Sequence, residues 1–452
     1  MDNNKMLNDA LLLLDNYNES SRSLHISLRM AGYDCPAVAI EDDGFLPEEV
    51  ISVYGFFLGD FKAVRGKNAG PRYFNEIKVP DYWEISGTNS SGKVQDLYKE
   101  RGRIFYAEPK DKRLVKIVDW YDEGGVVRSS DHYNRYGALY GRTVFNAKGQ
   151  RVNKSYFSAE GREVIVENFV TGDIILNEGN KVQIFRSKTD FILHFFVRAG
   201  FRQSRIFFNS LSTPFFVSNR LKAQENKRDV LFWQEPTGDE IPGNMQMILN
   251  GEAGRAGKII VQNRASYDKL IALGAKKDMV KRLGFIYPFE KENGYQMQAL
   301  ICTNSDNLEH GEEIIKSLPQ MHFHIAALTE MSSKLMSLDR YENVSLYPGV
   351  KPGLLEDLFE KCDYYFDINH ESEITSAVRK AFLHNHLIFA FKETAHNKDY
   401  VAKEHMYPAE EVSAMLADVK AAAADVKTLK KYLQRQKKAA LSETIRAYQE
   451  GL

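Results

Sequence analysis

The sequence has almost no cysteine: three in 452 residues, Cys35, Cys302 and Cys362, far apart and odd in number. No CxxC pair occurs, which argues against a zinc knuckle or a disulfide framework and fits a reducing compartment. A charge excess of either sign is also missing. Lys+Arg number 60 against 61 Asp+Glu, a formal net charge of -1, which speaks against wholesale nucleic-acid binding. The longest early apolar run, Ala10 to Leu14, is too short to span a bilayer, and no small-residue cleavage site follows it. It reads as the buried face of a first helix in a soluble, intracellular protein. No G-x-G-x-x-G follows any apolar run, which disfavours a nicotinamide-binding Rossmann enzyme.

What is present is a chain long enough for two or three domains, 43% hydrophobic, 27% charged and 12% aromatic. To about residue 72 helix and strand signals alternate: SRSLHISLRMAGY as a helix stopped by Gly32, then PAVAIED as a short strand. From there to residue 186 the helical period fades. Tyr121, Tyr133, Phe145 and Phe157 stand twelve apart, each followed by Asp122, Asn134, Asn146 or Ser158 and then by Gly125, Gly137, Gly149 or Gly161. Asp and Asn start turns by bonding nearby backbone, and Gly supplies the positive φ that closes a hairpin. The spacing predicts an antiparallel meander with one strand every twelve residues. Such a sheet is structural in the plainest reading; alternatively its edge or face docks another protein.

After Ser187 the alternation returns with TDFILHFFVRAG, RIFFNSL, VLFWQEP and GKIIVQN, and a second run follows with QALICT, FHIAAL, VSLYPG, DYYFDIN and HLIFAF. Continuous apolar strands between helices imply parallel sheets covered on both faces. The expected organisation is α/β: residues 1–72 and 187–290 as a first Rossmann-like lobe, 73–186 as an inserted β-meander, 291–425 as a second Rossmann-like lobe and 426–452 as a C-terminal helix.

Segment GTNSSGKV (Gly87 to Val94) imitates a phosphate-binding loop, but Val94 stands where a Ser or Thr would hold magnesium, and the segment lies in the meander. It reads as a hairpin tip. Open parallel sheets bind ligands outside the carboxyl ends of their strands. Those ends here carry Asn209, Glu235, Asp367, Asn369 and His370, with Trp233 and Asn244 close by. As polar groups on apolar stems facing one crevice they read as a binding surface. No catalytic residue and no metal ligand set stands out.

Two α/β lobes in this order resemble a glycosyltransferase of the two-Rossmann (GT-B) type, with a cleft between the lobes. In retaining members the second lobe opens strand-T-R-x-x-x-x-K, and the Arg and Lys neutralise a nucleotide-sugar diphosphate. Here TNSDNLEHGEEIIKSL puts Asn304 at the Arg and Glu309 at the Lys. The family's pair of glutamates eight apart falls at Ser372 and Lys380. Three of the four donor contacts are altered, and a carboxylate at Glu309 would repel a diphosphate. The segments FLPEEVISVYGFFLG, RLVKIVDWYDEGG, IVENFVTGDIIL, LFWQEPTGDEIPGNMQ and FHIAALTEMSSKL resemble the stabilising subunit (GtfB type) of the two-subunit O-GlcNAc transferase for serine-rich repeat adhesins. The resemblance implies a non-catalytic chain with no cofactor that docks a catalytic glycosyltransferase subunit through its inserted sheet and helps hold the Ser/Thr-rich adhesin polypeptide, bare or GlcNAc-modified. It also implies action in the cytoplasm before export by an accessory secretion route, with peripheral membrane association. A different reading is an active GT-B transferase with an unusual donor, served by Arg379 and Lys380. The basic tail (Lys427, Lys430, Lys431, Arg435, Lys437, Lys438) suits either an anionic membrane surface or the solvated face of a packed helix.

Overall fold

A computed structural model describes residues 10–66, 69–202, 204–223 and 228–452. Residues 1–9, the start of the segment read as a first helix, lie outside the described residues. The chain divides into two compact units, Met1–Leu283 with Gly451 and Gly284–Glu450 with Leu452.

The first unit holds two sheets. One is a seven-stranded parallel sheet in the order Val280–Arg282, Ala256–Val261, Asp229–Trp233, Arg205–Phe208, Ala10–Leu14, Ala37–Ala39, Val50–Ser52. Strands from both sides of the insertion thus share it. The run Ala10–Leu14, expected as a helix face, is an interior strand with all five residues buried. The correction has a simple cause: five apolar residues with no polar face suit a strand covered on both sides, and periodicity alone does not separate the two. The helix Glu19–Met30 follows, capped by the Asn18 side chain on Ser21 N–H and ended at Gly32, whose φ is 92°.

The inserted sheet has ten antiparallel strands in strict chain order from Glu84–Gly87 to Lys181–Phe185. Each repeat aromatic is the last residue of its strand: Val115–Tyr121, Val127–Tyr133, Leu139–Phe145, Arg151–Phe157. The four repeat glycines all have positive φ, between 70° and 80°. Gly125 N–H donates to the Asp122 carbonyl, while the Asp122 carboxylate accepts from Gly124 and Val126 N–H, the turn the spacing predicts. The phosphate-loop look-alike is a hairpin in which Gly87 pairs with Gly92 and Lys93 pairs with Glu100.

One apolar core joins this sheet to the parallel sheet. Tyr156, Ile165, Ile174 and Leu176 pack with Leu11, Val38, Phe191 and Phe208, and Tyr54 stacks on Tyr156 at 4.5 Å. Gly44 sits at the junction, where a Cβ would lie 2.6 Å from the Tyr133 carbonyl oxygen, so only glycine fits. Burying the stacked tyrosine pair alone contributes roughly 3 kcal/mol or more.

The second unit is built on a six-stranded parallel sheet, Val344–Tyr347, His322–Ala327, Gln298–Thr303, Tyr364–Asp367, Leu387–Phe391, Met406–Tyr407. The tail, expected as one helix, is two: Val426–Ala439 and Ile445–Gly451, broken where Leu441 takes a φ of 58°. Buried Gln436 on the first of them donates to the His386 carbonyl and accepts from Ile388 N–H, so this helix is packed on the sheet. Lys427, Lys430, Lys431 and Lys438 lie exposed. Among the described residues no helix is long and apolar enough to cross a membrane.

Candidate functional site

In the first unit the carboxyl ends of three adjacent strands are joined by a chain of neutral amides. Asn209 accepts from Asp15 N–H (3.0 Å) and donates to Ser21 Oγ (3.1 Å) and Gln234 Oε1 (3.4 Å); Gln234 in turn donates to Gln262 Oε1 (2.7 Å) and the Ser20 carbonyl. Ser212 Oγ donates to Asp15 Oδ2 and accepts from Ser210 Oγ. Asn244 is held by its bond to the Leu211 carbonyl, and Glu235 is exposed with its backbone carbonyl accepting from Ser266 Oγ. Gln234 belongs to the strand ends read from the sequence, and Asp15, Ser212 and Gln262 extend the set; for Asp15 and Gln262 the polar residue just after an apolar strand was the available signal. Trp233, placed above with the candidate binding residues, is corrected: it is 4% exposed and packs in the core. An indole after the three apolar residues Val230, Leu231 and Phe232 completes the buried face of its strand.

In the second unit the ends of Gln298–Thr303 and Tyr364–Asp367 are stitched together. Glu309 N–H donates to the Ile368 carbonyl and His370 N–H to the Asn307 carbonyl. Asn369 is the hub: its Oδ1 meets the hydroxyls of Thr303 (2.8 Å) and Ser305 (3.0 Å), and its Nδ2 donates to Asn304 Oδ1 (3.1 Å) and the Glu371 and Ser372 carbonyls. At 2% exposure, with both polar side-chain atoms engaged inside the lobe, Asn369 shapes the loop instead of contacting a ligand directly. Asp367 is equally buried and is spent on His396, accepting from its backbone N–H and lying 2.6 Å from its Nδ1.

His396, which sequence reasoning missed, donates its other ring nitrogen to the Glu371 carbonyl. Burial by itself lowers its pKa, but the Asp367 hydrogen bond and charge and the Glu371 carbonyl outweigh this and hold it at about 9. His396 is therefore an imidazolium at neutral pH.

The three positions aligned with the donor contacts are internally occupied. Asn304 accepts from Asn369; the Glu309 carboxylate lies between His370 Nε2 (2.5 Å) and His310 Nε2 (3.4 Å); Lys380 pairs with Glu356 and covers the Phe359 ring. Lys380 is thus a helix-surface ion pair, which weighs against its use on a phosphate.

Family models for a GtfB N-terminal, middle and third domain match residues 11–57, 83–186 and 188–273, and one for a GftB/GlyA-F C-terminal domain matches 299–436. The chain is 43% identical over 444 residues, 98% of each chain, to the UDP-N-acetylglucosamine--peptide N-acetylglucosaminyltransferase stabilizing protein GtfB of Streptococcus agalactiae. The chain belongs to the GtfB family. The GtfB protein of Streptococcus gordonii is 41% identical over 97% of each chain. A crystal structure of a GtfA/B complex bound to UDP and GlcNAc contains a chain similar to this GtfB-family member, with a TM-score of 0.88 and 40% identity over 98% of this chain and 99% of that one. Accessory secretory proteins of Streptococcus pneumoniae share the fold at a TM-score of 0.56 and 10% identity.

Proposed function

We propose that this chain is the non-catalytic, stabilising subunit of a two-subunit O-GlcNAc transferase acting on polypeptide. The observation that carries the reading is the state of the donor positions. Asn304, Glu309 and Lys380 offer no cationic pair to a diphosphate, and each side chain already has a partner within the protein. A pseudoenzyme with a near-full-length kinship to GtfB stabilising proteins accounts for both facts. The partner is a catalytic glycosyltransferase subunit, in keeping with the GtfA/B complex in the similar crystal structure.

Docking is assigned to the inserted sheet. Its edge strand Lys181–Phe185 exposes Val182 and Ile184, two residues apart on one face, and an unpaired apolar edge invites a partner. Acceptor recognition is assigned to the polar strand ends of the first lobe, where Asn209, Gln234, Glu235 and Asn244 suit the hydroxyls and amides of a Ser/Thr-rich adhesin polypeptide. A cytoplasmic site of action fits three buried, unpaired thiols. Peripheral membrane contact would use the exposed Lys427, Lys430, Lys431 and Lys438; flotation with anionic vesicles at physiological salt tests it, and no binding leaves only the packing role.

The test is transfer from UDP-GlcNAc to a serine-rich acceptor by this chain alone, by a catalytic partner alone and by both. The expected result is none from this chain alone and strong enhancement when the two are mixed. Transfer by this chain alone would contradict the proposal.

A further inference from the structure

We infer that Glu290, Glu360 and His384 form a binding site for a divalent transition cation of the Zn2+ class on the second lobe, apart from the function proposed above. Their donor atoms lie within 4.8 Å of one another. His384 follows the helix Ala377–Leu383, and its ring is 3% exposed. Its Nδ1 lies 2.9 Å from the Lys380 carbonyl, which only accepts, so Nδ1 carries a hydrogen. In the neutral ring that leaves the Nε2 lone pair aimed at the two carboxylates. Metal-ligating histidines are commonly oriented this way, the far nitrogen donating to a carbonyl.

The distances favour a metal over a simple ion pair. Nε2 is 3.3 Å from Glu290 Oε2 and 3.5 Å from Glu360 Oε1. A charge-assisted hydrogen bond would draw them to about 2.7–2.9 Å. Zinc bonds of 2.0–2.2 Å in a tetrahedron instead place neighbouring ligand atoms about 3.3–3.6 Å apart. Both carboxylates are more than half exposed, which leaves room for water at a further position.

The surroundings call for a cation. Glu360 stands in the last turn of the helix Pro352–Lys361, and His384 caps the end of Ala377–Leu383, so two helix C-termini add their partial negative charge to two carboxylates. Glu290 is fixed beside them by its N–H bond to the Leu383 carbonyl. The nearby lysines are used elsewhere: Lys291 on Asp363 and the Glu360 and Cys362 carbonyls, Lys380 on Glu356. His386 turns its Nε2 to the Phe359 carbonyl. One imidazole with two carboxylates suits zinc better than magnesium or calcium. A bound ion would tie together the segment entering the lobe, one helix end and the turn after another.

The test uses the full chain stripped with EDTA and titrated with ZnCl2 by calorimetry, with thermal unfolding and the visible spectrum of the Co2+ form as second readouts. The expected result is one Zn2+ per chain, a raised Tm and tetrahedral Co2+ bands. The variant Glu290→Gln/Glu360→Gln alters only exposed side chains, keeps the metal-free Tm, and weakens Zn2+ binding at least about tenfold. No binding at up to about 1 mM ZnCl2, or equal binding by the variant, would overturn the site and leave His384 as a polar neighbour of two exposed carboxylates.

Discussion

The two parallel sheets are pinned alike where a strand begins and differently where the strands end. In the first lobe Asp229 opens a strand and is buried with Arg255, both side chains at 0% exposure, while also accepting from Ile206 N–H and Ser218 Oγ. In the second lobe Asp363 precedes a strand and holds Lys291 at 2.9 Å, with Gln296 N–H on its other oxygen. At the carboxyl ends the likeness stops. The first lobe closes its strands with amides and hydroxyls around Asp15; the second has an amide hub at Asn369 and adds imidazoles against carboxylates, Asp367 with His396 and Glu309 with His370. Framework charges are thus common to both lobes, and the difference lies in the loops after the strands. A rim of amides and hydroxyls can meet a polypeptide's hydroxyls with little charge desolvation, whereas Glu309 and Lys380 in the second lobe are already paired within the protein.

The largest expected effect breaks the shared framework. Arg255→Met leaves Asp229 buried without its cation and should cost about 3–5 kcal/mol in chemical unfolding, whereas Lys291→Met, at a partly exposed ammonium, should cost about 1–3 kcal/mol. Equal losses would mean the two pairs are not graded by burial.

The next prediction separates the rims by pH. The folded His396 pKa, about 9, lies above the ordinary 6.5, so its contribution is complete below pH 6.5 and fades as pH rises through 9. His396→Ala should therefore cost on the order of 3 kcal/mol more at pH 6 than above pH 9. Asn209→Ala in the first lobe should cost about 1–3 kcal/mol with no pH dependence across the same range. A flat His396→Ala profile would remove the charged half of the contrast.

Smaller effects test the surfaces. Ile184→Lys should leave stability within about 0.5 kcal/mol of the parent while reducing complex formation with the catalytic partner in size-exclusion chromatography. Unchanged complex would move docking off that strand. Lys380→Ala should change stability by about 0–1 kcal/mol, as an exposed ion pair does.

The inserted sheet was the most legible part of the chain, because its turns need particular residues: Asp122 and Asn134 to bond backbone, Gly125 and Gly137 at positive φ. The strand runs of both lobes were readable for a similar reason, since burial on both faces forces continuous apolar residues. Where two structures satisfy one pattern the reading slipped, as at Ala10–Leu14, or where the break has no Gly or Pro to mark it, as at Leu441. Strand ends were located but not their internal use. That Asn369 faces inward to Thr303 and Ser305, that Trp233 is core, and that His396 reaches Asp367 across 29 residues are long-range facts with no local signature. The same holds for Glu290, Glu360 and His384, which follow no ligand spacing.

The central claim, that the second lobe has lost its grip on a nucleotide sugar, is tested most directly by titrating UDP-GlcNAc into this chain alone in a calorimeter. No binding up to about 1 mM is the predicted result. Micromolar binding abolished by Lys380→Glu would contradict it and make the chain a transferase in its own right.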